Sequence, residues 1–296
     1  MGLKTIYKSK KCEAEMMDVY DRQLSRLGIE YEERMIKTHF GDTHVLITGP
    51  KNATPLITLH GGNGNSPLNL SLFLPLTKCF RVYGPDTVGF PGKSEQTRLS
   101  PNNNSYGQWV VDVMDGLSLE SVAFVTSSYS SGILLQTASF APERISQAIL
   151  HVPSGIAHGP IMPMMKIIVQ WLTYPLFPRR DRLIKAFQSM VTETNEDFLE
   201  FCDAMLRDYI IELRGPKEFT REELKNFKAP TFVIAAKDDI FFPANKVIPK
   251  AKYVIQNLTK IECIDGGHLS SKETLEHVNN EIIEFINGHI LLNSGN

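Results

Sequence analysis

Between residues 55 and 155 the chain alternates short apolar runs with amphipathic ones, and that alternation limits the fold more than any other feature of the sequence. PLITLHGG, FRVYGPD, VAFVTSS and SQAILHVPS read as strands, while SYGQWVVDVMDGL and GILLQTASFA, which separate the later ones, carry apolar residues at helical spacing. Strands that alternate with helices build parallel βαβ units and a sheet covered on both faces. Upstream, residues 12–28 place Met16, Met17, Tyr20, Leu24 and Leu27 on one helical face ahead of Gly28, and ERMIKTHF and THVLITGP predict a hairpin about a Gly41-Asp42 turn. After Gly155 the strand pattern stops for roughly seventy residues, replaced by helical segments rich in Met, Ile, Trp and Phe, before PTFVIAAKDD resumes it. The strand KIECID and the helix TLEHVNNEIIEFINGHI close the chain. This pattern predicts an α/β core from residues 1–155 and 229–296, with residues 156–228 inserted as a helical cap.

Bulk properties narrow the partners. With 31 basic against 33 acidic residues and a net charge of -2, nothing favours nucleic acid or an anionic membrane surface, and a small neutral substrate suits the chain better. No apolar run reaches the length of a membrane span, and the N-terminus lacks the apolar stretch of a signal peptide, so no membrane insertion is expected. Met1-Gly2 fails the myristoylation pattern because Ile6 stands where Ser or Thr is needed. Cys12, Cys79, Cys202 and Cys263 are scattered without metal-ligand spacing, which predicts free thiols, no metal and a cytoplasmic location.

Chemistry concentrates at FVTSSYSSG, residues 124–132. In parallel sheets ligands gather at the carboxyl ends of strands, and a nucleophilic serine there sits on a sharp strand-to-helix turn flanked two residues away by small side chains. Ser127 and Ser131 would place Val125, Tyr129 or Ile133 at those flanks and are rejected on size. Ser128 and Ser130 survive, and register selects Ser128, since the strand ends near Thr126 and the following helix already contains Gly132 and Leu134. A base and an acid stand past later strands, His268 after KIECID and Asp238-Asp239 after PTFVIAAK, in the order Ser, Asp, His. The amide of Tyr129 and the His60-Gly61-Gly62 turn after PLITL occupy the places of an oxyanion hole. GFPGKS resembles the end of a phosphate-binding loop, but that motif needs a glycine where Thr87 stands.

These residues resemble the α/β-hydrolase superfamily over about residues 35–290, and within it bacterial carboxylesterases of the naproxen esterase kind. The carriers are THFGDTHVLITGP, LHGG, DTVGFPGKS, ASFAPERISQAIL and GGHLSSKETLEHVNNEIIEFI. The resemblance implies an α/β-hydrolase fold, selects Ser128 independently through the spacing to Pro142-Glu143-Arg144, and assigns the acid to Asp239, the base to His268 and the oxyanion amides to Gly62 and Tyr129. A serine at the elbow argues against the chemistry of dehalogenases and epoxide hydrolases, where the family places an aspartate. The expectation is therefore a serine hydrolase of small apolar carboxylic esters that needs no cofactor, with Met164, Met165 and Trp171 of the cap contacting substrate. Two rivals share the fold: a Ser-triad hydrolase of C-C or lactone bonds, and a non-catalytic ligand-binding or signalling protein, for which the absence of glycine at Thr126 and Ser130 argues.

Overall fold

The computed structural model describes residues 5–294, so the reading of Met1 and Gly2 lies outside the described residues. Eight strands form one sheet: β1 (Tyr31–Thr38), β2 (Gly41–Thr48), β3 (Pro55–Leu59), β4 (Arg81–Pro85), β5 (Val122–Ser127), β6 (Ile145–His151), β7 (Thr231–Ala236) and β8 (Leu258–Ile264). Their order is β1-β2-β4-β3-β5-β6-β7-β8. β1 pairs antiparallel with β2 and β2 with β4; every other pairing is parallel. Successive strand residues face opposite layers, as the pleat requires. Phe124 and Leu150 join the layer with Trp109 and Leu134, whereas Val125 and Ile149 join the other with Phe73, Val278 and Ile282. Those layers are carried by α3 (Ser105–Gly116), α4 (Tyr129–Phe140) and α8 (Ala244–Val254) on one face, and by α2 (Ser66–Leu72) and α9 (Lys272–Ser294) on the other.

The hairpin turns two residues earlier than the sequence implies. Thr38 pairs with Gly41, which leaves His39 and Phe40 as the turn and makes Gly41 the first residue of β2. The Thr38 hydroxyl, donating to Gly41 O at 2.6 Å, closes this tighter turn, and Gly41 supplies the φ of 111° that follows it.

Between β6 and β7 lie α5 (Ile161–Thr173), α6 (Arg180–Phe187) and α7 (Glu196–Asp208). Beyond Tyr209 the expected helical character is absent, and residues 210–228 return to the sheet as irregular chain, anchored where Phe219 N donates to Gly155 O at 2.8 Å. The N-terminal helix α1 (Lys10–Arg26), capped by the Ser9 hydroxyl, packs on α7. Met16 and Val19 share an apolar cluster with Leu199 and Met205, and Arg26 pairs with Asp197 at 2.7 Å and Glu200 at 2.6 Å.

The Gly-Lys-Ser segment has a structural task. Buried Asp86 accepts hydrogen bonds from Tyr20 Oη at 2.9 Å, Lys93 N at 3.1 Å and Ser66 N at 3.0 Å. A Cβ on Gly92 would lie 2.6 Å from the Asp86 carboxyl carbon, so the glycine lets the loop wrap this carboxylate.

Candidate active site

β5 ends at Ser127 and α4 begins at Tyr129, leaving Ser128 alone in the joint with φ 57° and ψ -118°. A non-glycine residue there is strained, and the strain holds the side chain out of the turn. The residues two before and two after fit because their hydroxyls are used. Thr126 Oγ1 lies 3.1 Å from Ile149 O and 2.9 Å from Ser131 Oγ; Ser130 Oγ lies 2.7 Å from Leu59 O and accepts from Ser127 N at 3.0 Å. Tight packing falls instead on Gly132, where an added Cβ would stand 2.3 Å from Pro216 Cβ.

His268, in the loop after β8, and Asp239, in the loop after β7, come to the same strand ends. His268 Nε2 is 2.9 Å from Ser128 Oγ, and its Nδ1 is 2.8 Å from Asp239 Oδ2. The other carboxylate oxygen accepts from Phe241 N at 2.8 Å and Phe242 N at 3.1 Å. Burial alone would push the Asp239 carboxyl up, but the facing imidazole and the two amides hold it below the usual carboxylate range. Phe241 and Phe242 flank the His268 ring with centroids 5.1 and 5.7 Å away. Asp238 points to solvent.

The turn after β3 is shaped by His60, whose Nε2 accepts from Thr87 N at 2.9 Å, so that its Nδ1 carries the proton and donates to Gly61 O at 2.8 Å. Burial pushes this imidazole down and keeps it neutral. Gly62 and Tyr129 face one another: a Cβ on Gly62 would lie 3.1 Å from Tyr129 Cβ. Among the described residues neither the Gly62 nor the Tyr129 amide N–H finds an acceptor within the chain. Asn63 follows in a left-handed conformation at φ 56°, its side chain accepting from Glu212 N at 2.7 Å and donating to Glu212 O at 3.1 Å. No sequence signal points to Glu212, since a single acidic residue in irregular chain has no periodicity.

Ser128 and His268 open into a cavity of about 110 Å³ walled by Leu68, Trp171, Phe187, Met190, Phe201 and Met205. A second cavity of about 480 Å³ adjoins it, and Leu68, Leu72, Phe198 and Leu269 line both. Of the three residues expected to contact substrate, Trp171 lines the inner cavity, whereas Met164 and Met165 line neither. The inward stripe of α5 runs through Ile167 and Trp171, one turn apart, and leaves Met165 47% exposed. The aromatic and methionine side chains of α6, α7 and the loop between them take the place assigned to the two methionines. His151 at the end of β6 was also unforeseen: wholly buried, it places Nδ1 3.4 Å from Ser127 Oγ, and burial, with the nearby His268 imidazole adding, pushes it down to about 4.

Residues 54–182 match the α/β-hydrolase fold family. The chain is 27% identical over 286 residues to carboxylesterase YbfK of Bacillus subtilis (strain 168), covering 92% of this chain and 93% of that one. It is 22% identical over 293 residues to the uncharacterized carboxylesterase nap of the same strain, covering 90% and 91%. The crystal structure of naproxen esterase (carboxylesterase NP) from Bacillus subtilis superposes with a TM-score of 0.78 at 21% identity, covering 92% of this chain and 97% of that one. The chain thus adopts the α/β-hydrolase fold and is a carboxylesterase-like hydrolase, resembling bacterial carboxylesterases of the naproxen esterase kind.

Proposed function

We propose that this protein cleaves carboxylic esters of small apolar substrates through an acyl-enzyme on Ser128. The observation that carries the reading is the continuous contact Asp239–His268–Ser128, with 2.8 and 2.9 Å between its members, set on a strained elbow beside two uncommitted amide N–H groups. Ser128 Oγ attacks the ester carbonyl while His268 Nε2 takes its proton. Asp239 holds the Nδ1 proton and favours the imidazolium that forms. The Gly62 and Tyr129 amides stabilise the oxyanion. His268 returns the proton to the departing alcohol, then activates water to release the acid. Every step uses groups of this chain alone.

In this reading residues 156–228 act as a cap that walls the reacting centre with apolar side chains, which favours uncharged substrates, because a charge placed there would lose its hydration without gaining a partner. Cys12, Cys79, Cys202 and Cys263 are free thiols, which suits a cytoplasmic enzyme. The test is a fluorophosphonate probe together with a panel of esters, lactones and diketones. Covalent labelling of Ser128, lost in Ser128→Ala, and preferential ester turnover support the proposal. Failure to label Ser128 sinks it, and faster turnover of diketones or lactones than of esters reassigns the bond.

A further inference from the structure

α5 has two apolar faces, and only one of them is covered. Ile167 and Trp171 turn inward, whereas Met162, Met165, Val169, Leu172 and Leu176 recur every three or four residues along the opposite face and the turn that continues it. Their exposures are 79, 47, 54, 55 and 69%, and Phe177 just beyond is 67% exposed. Large apolar side chains standing singly in water are ordinary, but a continuous stripe of them marks a surface that something covers.

Charge near the stripe identifies the occupant. Residues 161–187 carry five basic side chains, Lys166, Arg179, Arg180, Arg182 and Lys185, against the single acidic Asp181, although the whole chain has a net charge of -2. Arg182 lies over the Phe177 ring at 5.6 Å. Arg179 pairs with Asp181 and Arg180 with Glu196, while Lys166 and Lys185 have no ion-pair partner among the described residues. A second copy of this chain fits poorly, because two-fold pairing would crowd two sets of basic side chains around one patch. An exposed apolar helix face that carries Lys166 on the helix itself and Arg182 at its C-terminal end, bonded to Thr173 O and Phe177 O, has the pattern of a helix lying in a bilayer interface, with its apolar side in the acyl boundary and its cations at the headgroups. Among the described residues no helix is long and apolar enough to cross a membrane, so such contact would be peripheral.

We propose that the outer face of α5, with the basic residues that follow it, is a docking surface for an anionic phospholipid bilayer. The same helix presents Trp171 to the cavity at Ser128, so docking would bring that cavity close to a source of apolar esters.

Co-sedimentation of the full chain with vesicles tests this, comparing pure phosphatidylcholine with vesicles containing roughly a third phosphatidylglycerol. The expected result is binding to the anionic vesicles that weakens as salt rises. Val169→Glu combined with Leu172→Glu, and separately Lys166→Glu combined with Lys185→Glu, should each lower binding at least about tenfold with an unchanged melting temperature, since all four side chains stand at the surface. Absence of binding to the anionic vesicles overturns the proposal, as does binding that both double variants retain. A dimer in analytical ultracentrifugation that the Val169/Leu172 variant dissociates, without vesicle binding in the parent, also overturns it and assigns the face to a second copy.

Discussion

Ser128 Oγ and His268 Nε2 stand 2.9 Å apart, although 140 residues separate them in the chain. Ser130, two positions on, points the other way and spends its hydroxyl on Leu59 O and Ser127. The two serines should therefore fail differently. Ser128→Ala is expected to lower ester turnover by roughly 10⁴ to 10⁶ with the melting temperature preserved. Ser130→Ala should cost about 1–3 kcal/mol of stability by leaving buried backbone groups unpaired, with a far smaller effect on kcat. Steady-state kinetics and thermal melts on both variants decide it, and activity surviving in Ser128→Ala but not in Ser130→Ala would reverse the assignment.

The adjacent carboxylates make a second pair. Asp239 is 2% exposed and bonded to His268 Nδ1, whereas Asp238 faces solvent. Asp239→Asn should reduce kcat by about 10³- to 10⁴-fold, because an amide cannot hold the Nδ1 proton and balance the imidazolium. Asp238→Asn should stay within roughly threefold of the parent, as surface changes do. Equal losses in the two variants would remove the orienting role from Asp239.

Periodicity made the sheet, its alternating helices and the elbow legible, since most strands announce themselves by an apolar run and Ser128, Asp239 and His268 each stand just past one. Two kinds of feature escaped. The inner wall could not be read because apolar residues cover more than one side of α5, and only packing decides that Trp171 turns inward while Met165 turns out. The tight point of the elbow is hidden for a related reason. Thr126 and Ser130 stand where glycines are usual, but their hydroxyls find acceptors in neighbouring strands, and steric pressure falls on Gly132 through Pro216, a residue more than eighty positions away in irregular chain.

Cavity walls should set chain-length preference through Trp171 and not through the methionines before it. Trp171 stacks on Phe187 at 5.4 Å and donates its indole N–H to Ala186 O at 3.2 Å. Trp171→Ala should change the dependence of kcat/KM on acyl length and cost about 2–4 kcal/mol of stability. Met165→Ala should alter neither. A series of p-nitrophenyl esters from acetate to decanoate measures the profile, and a shift in Met165→Ala with none in Trp171→Ala would move the pocket to the outer side of α5.

His151 ties stability to pH. Its folded value of about 4 lies below the ordinary 6.5, so between those values the unfolded chain binds a proton that the folded chain refuses. Stability should fall as pH drops through that window, by up to about 3 kcal/mol from this group, and His60, pushed down by the same burial, adds in the same direction. Asp239 acts elsewhere: its contribution is present above the ordinary carboxylate value and is lost only as pH falls below it. Urea unfolding at several pH values should show a shallower slope over the histidine window in His151→Phe, whose ring retains the edge contact with Phe73. Identical slopes in parent and variant would remove His151 from this role.

The loop that carries Gly62 is held by its neighbour. Asn63 combines a left-handed φ of 56° with two reciprocal hydrogen bonds to the Glu212 backbone. Glu212 is itself fixed by Arg214, whose amide and Nε donate to its carboxylate at 2.9 and 3.0 Å. An oxyanion donor misplaced by a few tenths of an ångström loses much of its effect, so this clamp should govern kcat more than KM. Asn63→Ala removes both hydrogen bonds and keeps the strain, and kcat is expected to fall about 10- to 100-fold with some loss of stability. Asn63→Gly relieves the strain but not the loss of the clamp, so its stability should recover toward the parent while kcat stays low. Comparing kcat, KM and melting temperature across the two variants separates positioning from folding: if Asn63→Gly restores turnover together with stability, backbone strain alone matters and the clamp to Glu212 does not position the amide.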